Sequence, residues 1–110
     1  MADILEGVLD DSAMRYGVMM GIIETFADGS LKKYAQTDDP AALSACLAGY
    51  GAILYIFQNG LRKEKLGRVN AWWNSFTSLS NVAMGMAMGE EYEPKQLLGF
   101  VLISAGILMI

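Results

Sequence analysis

Residues 41–61 read AALSACLAGYGAILYIFQNGL, without a single charged side chain. About twenty predominantly apolar residues, at ~1.5 Å of rise each, cross the ~30 Å hydrocarbon core of a bilayer as a helix. On the C-terminal side a second uncharged run covers 69–89, with Lys65 and Arg68 before it and Glu90 and Glu91 after it. Beyond it, Pro94 opens a run that is apolar from Leu97 to Ile110, and proline is tolerated in a first helical turn. On the N-terminal side, residues 14–34 have the same length but are interrupted by Arg15, Glu24, Asp28, Lys32 and Lys33. The pattern predicts an all-α fold, an integral membrane four-transmembrane-helix bundle over residues 14–110, with helices near 14–34, 41–61, 68–89 and 94–110. Connections this short make sequence neighbours antiparallel, so both ends of the domain lie on one side of the membrane.

Composition agrees. Hydrophobic residues make up 54% of the 110 and charged residues 18%, where a soluble domain carries about a quarter charged. A soluble chain this short would expose uncharged stretches as contiguous sticky surface, a problem that lipid removes. The net charge of −4, with few and scattered basic residues, excludes nucleic acid as a partner. Cys46 is alone and there is no histidine, so an internal disulfide, a histidine metal site and a histidine proton relay are all excluded. Proton chemistry falls to carboxylates; no enzyme activity, metal or cofactor is expected.

Residues 1–13 lack the basic and apolar regions of a secretory signal. Asp3 and Glu6 are spaced to cap a short helix whose Ile4, Leu5, Val8 and Leu9 share a face, which suits an acidic segment lying on a membrane surface or a neighbouring subunit. A frayed acidic tail is the plainer alternative. Arg15, Arg62, Lys63, Lys65 and Arg68 fall on the side of the termini, and Lys32, Lys33 and Lys95 on the other, a small bias toward both termini inside.

Glu24 falls near mid-helix, where an ionised side chain costs roughly 2.5–3.5 kcal/mol even on lenient insertion scales. Gly17, Gly21, Glu24, Asp28 and Lys32 share a stripe at helical spacing, and such a stripe is expected to face protein. One reading makes Glu24 the binding point for a proton or cation in a low-dielectric cavity. The other is structural, with Asp28 paired to Lys32 and Glu24 bonded to a neighbouring helix. The third helix presents Asn70, Asn74, Thr77 and Asn81, amides and a hydroxyl that need partners inside the bundle or across a subunit interface. Trp72 reads as an interfacial anchor, and Trp73, on the polar side, as a surface for stacking on an aromatic or cationic ligand. Met84, Met86 and Met88 read as packing, and Gly85 and Gly89 as a point of close helix approach.

These residues resemble a family. Ile22 to Ala35, with Glu24 followed by Lys32, is similar to the first helix of the small multidrug resistance transporters of the drug/metabolite transporter superfamily. GRVNAWWNS (67–75) resembles that family's glycine, aromatic-rich stretch and tryptophan, and GEEYEPKQLLGFVLISAGILMI (89–110) its last loop and dimerising helix. The resemblance spans about Gly17 to Ile110. It departs where Asn70 stands for a usual tyrosine, where Asp28 and Gly29 stand for small and hydroxyl residues, and in the charged loop 62–68. The resemblance implies a homodimer of antiparallel subunits in a lipid bilayer, an antiporter exchanging protons for small hydrophobic or guanidinium-like cations. Glu24 would be its proton and substrate site, Trp73 the stacking residue with Asn70 and Asn74 beside it, Asp28 and Lys32 secondary, and Gly99 and Gly106 the dimer contact. The departures keep a second expectation open: a transport-inactive structural membrane protein in a larger assembly such as a viral membrane or capsid.

Overall fold

The computed structural model describes Gly7 and residues 11–109. The readings made for Asp3, Glu6 and their apolar neighbours fall outside the described residues. Among those described there are four helices and no strand: α1 (Ser12–Thr37), α2 (Pro40–Leu61), α3 (Leu66–Ala87) and α4 (Pro94–Ile107).

The helix ends follow from local chemistry. Asp11 caps α1 by accepting from the Ala13 N–H at 2.9 Å, so the helix begins two residues earlier than expected. It also runs past both lysines to Thr37, where Asp38 turns into the left-handed region (φ 56°) and its N–H reaches the Tyr34 carbonyl at 2.7 Å. Asp39 then caps α2, with Pro40 in the first turn, where its missing N–H would have had no partner anyway. α3 starts at Leu66, earlier than residue 68, and ends at Ala87 rather than 89. Gly89 (φ 96°) reverses the chain there, and the Glu90 N–H returns to the Gly85 carbonyl at 2.8 Å, the closure common after a left-handed residue. Pro94 opens α4 as expected, and the Glu93 N–H donates to Gln96 Oε1 at 2.8 Å; the helix stops at Ile107, short of 110.

α1 is the central helix. α2 packs on one side of it and α3 on the other, while α4 packs on α3 alone; the whole measures 46 × 37 × 20 Å. Gly49 faces Ala27 and Gly60 faces Tyr16, which fixes α1 and α2 as antiparallel. Gly17 faces Trp72, Gly21 faces Phe76, Thr25 bonds Ser80 and Gly29 faces Met84, a constant offset of 55 residues that makes α1 and α3 parallel neighbours in register. This corrects the stripe read from the sequence. The small residues of α1 that face α3 form the row Gly17, Gly21, Thr25 and Gly29, and Glu24, Asp28 and Lys32 lie on the row beside it.

Met20, Ile53 and Val69 are the largest fully buried side chains, joined in the core by Ala13, Trp72 and Ile107. Outside that core, Met19, Ile22 and Phe26 on α1, Leu47, Leu54 and Tyr55 on α2, and Leu97, Leu98, Val101 and Leu102 on α4 are all exposed. Among the described residues one helix, α2, is long and apolar enough to cross a membrane, with 17% of its most apolar stretch buried against the rest of the chain; α4 is apolar but shorter.

Candidate functional site

Four polar connections tie α1 to its neighbours in the half of the seam beyond Gly21, three of them through its ionisable side chains. Thr77 Oγ1 donates to Glu24 Oε2 at 3.2 Å, and this is the one hydrogen bond to that half-buried carboxylate among the described residues. Thr77 itself is buried and lies on α3 because the helix places positions 73, 77 and 81 one turn apart on one side. One turn along α1, Asp28 joins all three inner helices. Tyr50 Oη of α2 donates to Oδ1, and Asn81 Nδ2 of α3 donates to Oδ2 at 2.9 Å. The third connection is an ion pair between Lys32 and Glu90. Between the first two, Thr25 Oγ1 bonds both the Gly21 carbonyl at 2.7 Å and Ser80 Oγ.

The expected pairing of Asp28 with Lys32 is therefore not what forms. Asp28 is held by two neutral donors, and Lys32 reaches across to the α3–α4 connection, because Glu90 folds back over Gly85, where a side chain would collide with its carboxylate. Tyr92 Oη donates to Glu90 Oε1 at 2.8 Å and so fixes that fold-back.

Trp73 sits one turn before Thr77 on the same side of α3 and meets Phe57 of α2 edge-on, ring centroids 5.1 Å apart at 61°. Its stacking partner within the chain is thus an aromatic of α2. Trp72 is buried against α1 at Gly17, so it is a packing residue and not the interfacial anchor expected of it. Asn70 and Asn74 are exposed and bonded to each other at 2.9 Å, Nδ2 of Asn74 to Oδ1 of Asn70, so they do not point into the bundle of this chain with Thr77 and Asn81. Gly99 and Gly106 lie on exposed α4 with open space around each.

A cavity of about 400 Å³ lies between α1, α3 and α4. Asp28, Lys32, Asn81 and Glu90 are among its polar lining, with Ser78 and Tyr92, and Met84 and Phe100 stand among its apolar walls. Glu24 does not line it. Sequence reasoning passed over Tyr50, Glu90, Tyr92 and Phe100. A hydroxyl between Gly49 and Gly51 in a charge-free helix was the available signal for Tyr50; the other three depend on how the α3–α4 connection folds back. Among the described residues no three His, Cys, Asp or Glu side chains gather as a metal site, and Cys46 is buried as a free thiol.

No family model, no curated protein and no solved structure matches this chain.

Proposed function

We propose that the chain is a multi-pass integral membrane protein, similar to the small multidrug resistance transporters, that exchanges protons for small hydrophobic or guanidinium-like cations at Glu24. The observation that carries this reading is a half-buried carboxylate with a single hydrogen bond among the described residues, lying between two belts of ion pairs. One belt is Asp11–Arg68 with Glu64 beside it, and the other is Lys32–Glu90 with Lys33–Asp39 near it. Asp11 and Lys32 are 21 positions apart, ~31 Å of helix, which matches the ~30 Å hydrocarbon core. Between the belts the exposed side chains of α1 are Arg15, one turn from the first belt, and then Met19, Ile22, Phe26 and Leu31, four apolar groups suited to lipid. A carboxylate there with one donor keeps lone pairs for a proton or a cation.

Two chains would associate through α4, whose Leu97, Leu98, Val101 and Leu102 are exposed among the described residues and whose Gly99 and Gly106 lie seven residues apart on one face. Replacing both with leucine should remove cross-linking between chains; persistent cross-linking would move the interface elsewhere. The test of the exchange reading is proton release on adding a lipophilic cation to the purified protein. Wild type should release protons and Glu24→Gln, which keeps the shape and loses the titration, should release none. Release by the variant, or none by folded wild type, overturns it.

A second reading, a transport-inactive scaffold in a larger membrane assembly such as a viral one, is favoured by Asp28, whose two oxygens both have donors within the chain. It predicts a folded, self-associating protein with no proton release.

A further inference from the structure

We infer that the cavity between α1, α3 and α4 is a second binding site, for one small monovalent organic cation with an apolar body, anchored by Asp28 and separate from Glu24. It requires no proton exchange at Glu24 and so goes beyond that reading.

Size is the first argument. About 400 Å³ lies within the ~300–1,000 Å³ range of small-molecule sites and is room for one compact ligand. Charge is the second. The ionic side chains lining the cavity are Asp28, Lys32 and Glu90, and the last two neutralise each other as an ion pair. The Asp28 charge is left in excess, which selects a single positive charge and rejects anions. Its two hydrogen bonds, one to each oxygen, fix the orientation of the carboxylate, while the ~four lone-pair positions of such a group leave capacity for a ligand.

The walls supply the third argument. Phe100 and Tyr92 meet edge-on, ring centroids 5.9 Å apart at 87°, and line the cavity together with Val82, Met84 and Met88. Aromatic rings attract organic cations, and thioethers adapt to irregular apolar shapes. Gly29 and Gly85 also line the cavity and take up no space in it. A site with one unbalanced carboxylate, soft walls and no metal-ligating cluster among the described residues suits an ammonium or guanidinium head on an apolar body better than an inorganic ion.

The test follows the methyl resonances of Met84 and Met88 by NMR in the purified full chain, during titration with benzyltrimethylammonium and with neopentylbenzene, its uncharged carbon isostere. Both resonances should shift saturably with the cation, while that of exposed Met19, outside the cavity, stays put. Asp28→Asn should weaken binding of this cation, which has no N–H to donate, by about tenfold or more, as expected for losing the one unbalanced charge that attracts it. Lys32→Met, which frees the Glu90 charge, should tighten binding several-fold. Ser78→Phe, which fills the cavity from an exposed position, should abolish the shifts. Equal binding of the uncharged isostere, wild-type affinity in Asp28→Asn, or no tightening in Lys32→Met would overturn the proposal. Should Asp28→Asn fail to fold, the Lys32→Met result alone decides.

Discussion

In the N-terminal half of the α1–α3 seam, Gly17 and Gly21 let Trp72 and Phe76 press onto the α1 backbone; in the C-terminal half, Gly29 meets Met84 at ordinary contact distance and a cavity opens beside it. The same residue type at the same four-residue spacing thus does two different jobs, decided by what faces it. Where a large rigid ring faces glycine, the seam closes and buries Ala13, Met20 and Val69 around it. Where an unbranched methionine faces glycine, and α3 ends soon after, the seam loosens. The polar groups follow that division: Thr25, Glu24 and Asp28 all find their partners beyond Gly21, in the half where the helices leave them room.

The largest effect should come from closing the tight half. A Cβ on Gly17 would stand 2.7 Å from the Trp73 backbone nitrogen, a contact that only a shift of α3 relieves. Gly17→Ala should destabilise by about 1–3 kcal/mol, the usual range for overpacking, and Gly17→Leu should prevent the native α1–α3 packing. Helical circular dichroism during thermal unfolding in detergent measures both. A Gly17→Ala midpoint equal to wild type would mean that the seam is not tight here, and the contrast between the halves would fail.

An intermediate effect is expected at the boundary between the halves. Thr25 is buried and within hydrogen-bond reach of Ser80 across the seam, where the one proton of each hydroxyl is shared with a carbonyl of its own helix, Gly21 for Thr25 and Phe76 for Ser80. Thr25→Val keeps the shape and removes the cross-helix bond, so it should destabilise by ~0.6 kcal/mol, the average for such bonds between helices in a membrane, the setting proposed above. A loss as large as that of Gly17→Ala would place the seam's main restraint in its polar bonds rather than in its packing.

Helix number and approximate span were legible because charges, prolines and acidic caps punctuate the chain at Asp39–Pro40, 62–68 and Glu93–Pro94. Helix order was not. α1, with the most charge, is central because Asp28 and Lys32 need partners on two sides, and those partners, Tyr50 and Glu90, lie 22 and 58 positions away. The small-residue row was misread for a geometric reason. Steps of three and of four both keep a helical residue on one face, so Gly21 can be continued by Glu24 or by Thr25, and only the facing helix chooses. Trp72 and Trp73 show the same limit: adjacent positions differ by ~100° around the helix, and burial against Gly17 or contact with Phe57 separates them only once α3 is seated.

The smallest effect belongs to Gly29. A Cβ built there meets only the Met84 side chain, at 3.6–3.7 Å, an ordinary contact with the end of a flexible group. Alanine is a better helix former than glycine by about 0.8–1.0 kcal/mol in a helix interior, chiefly because it loses less backbone freedom on folding. Gly29→Ala should therefore leave the thermal midpoint unchanged or raise it slightly, a sign opposite to that of Gly17→Ala one half-helix away. The added methyl takes little of a cavity of about 400 Å³, so a cation that shifts the Met84 resonance in wild type should shift it in the variant as well. Midpoints measured side by side for the two alanine variants would separate a seam that is tight throughout, in which both fall, from one that closes at Trp72 and opens at Met84, in which only Gly17→Ala falls.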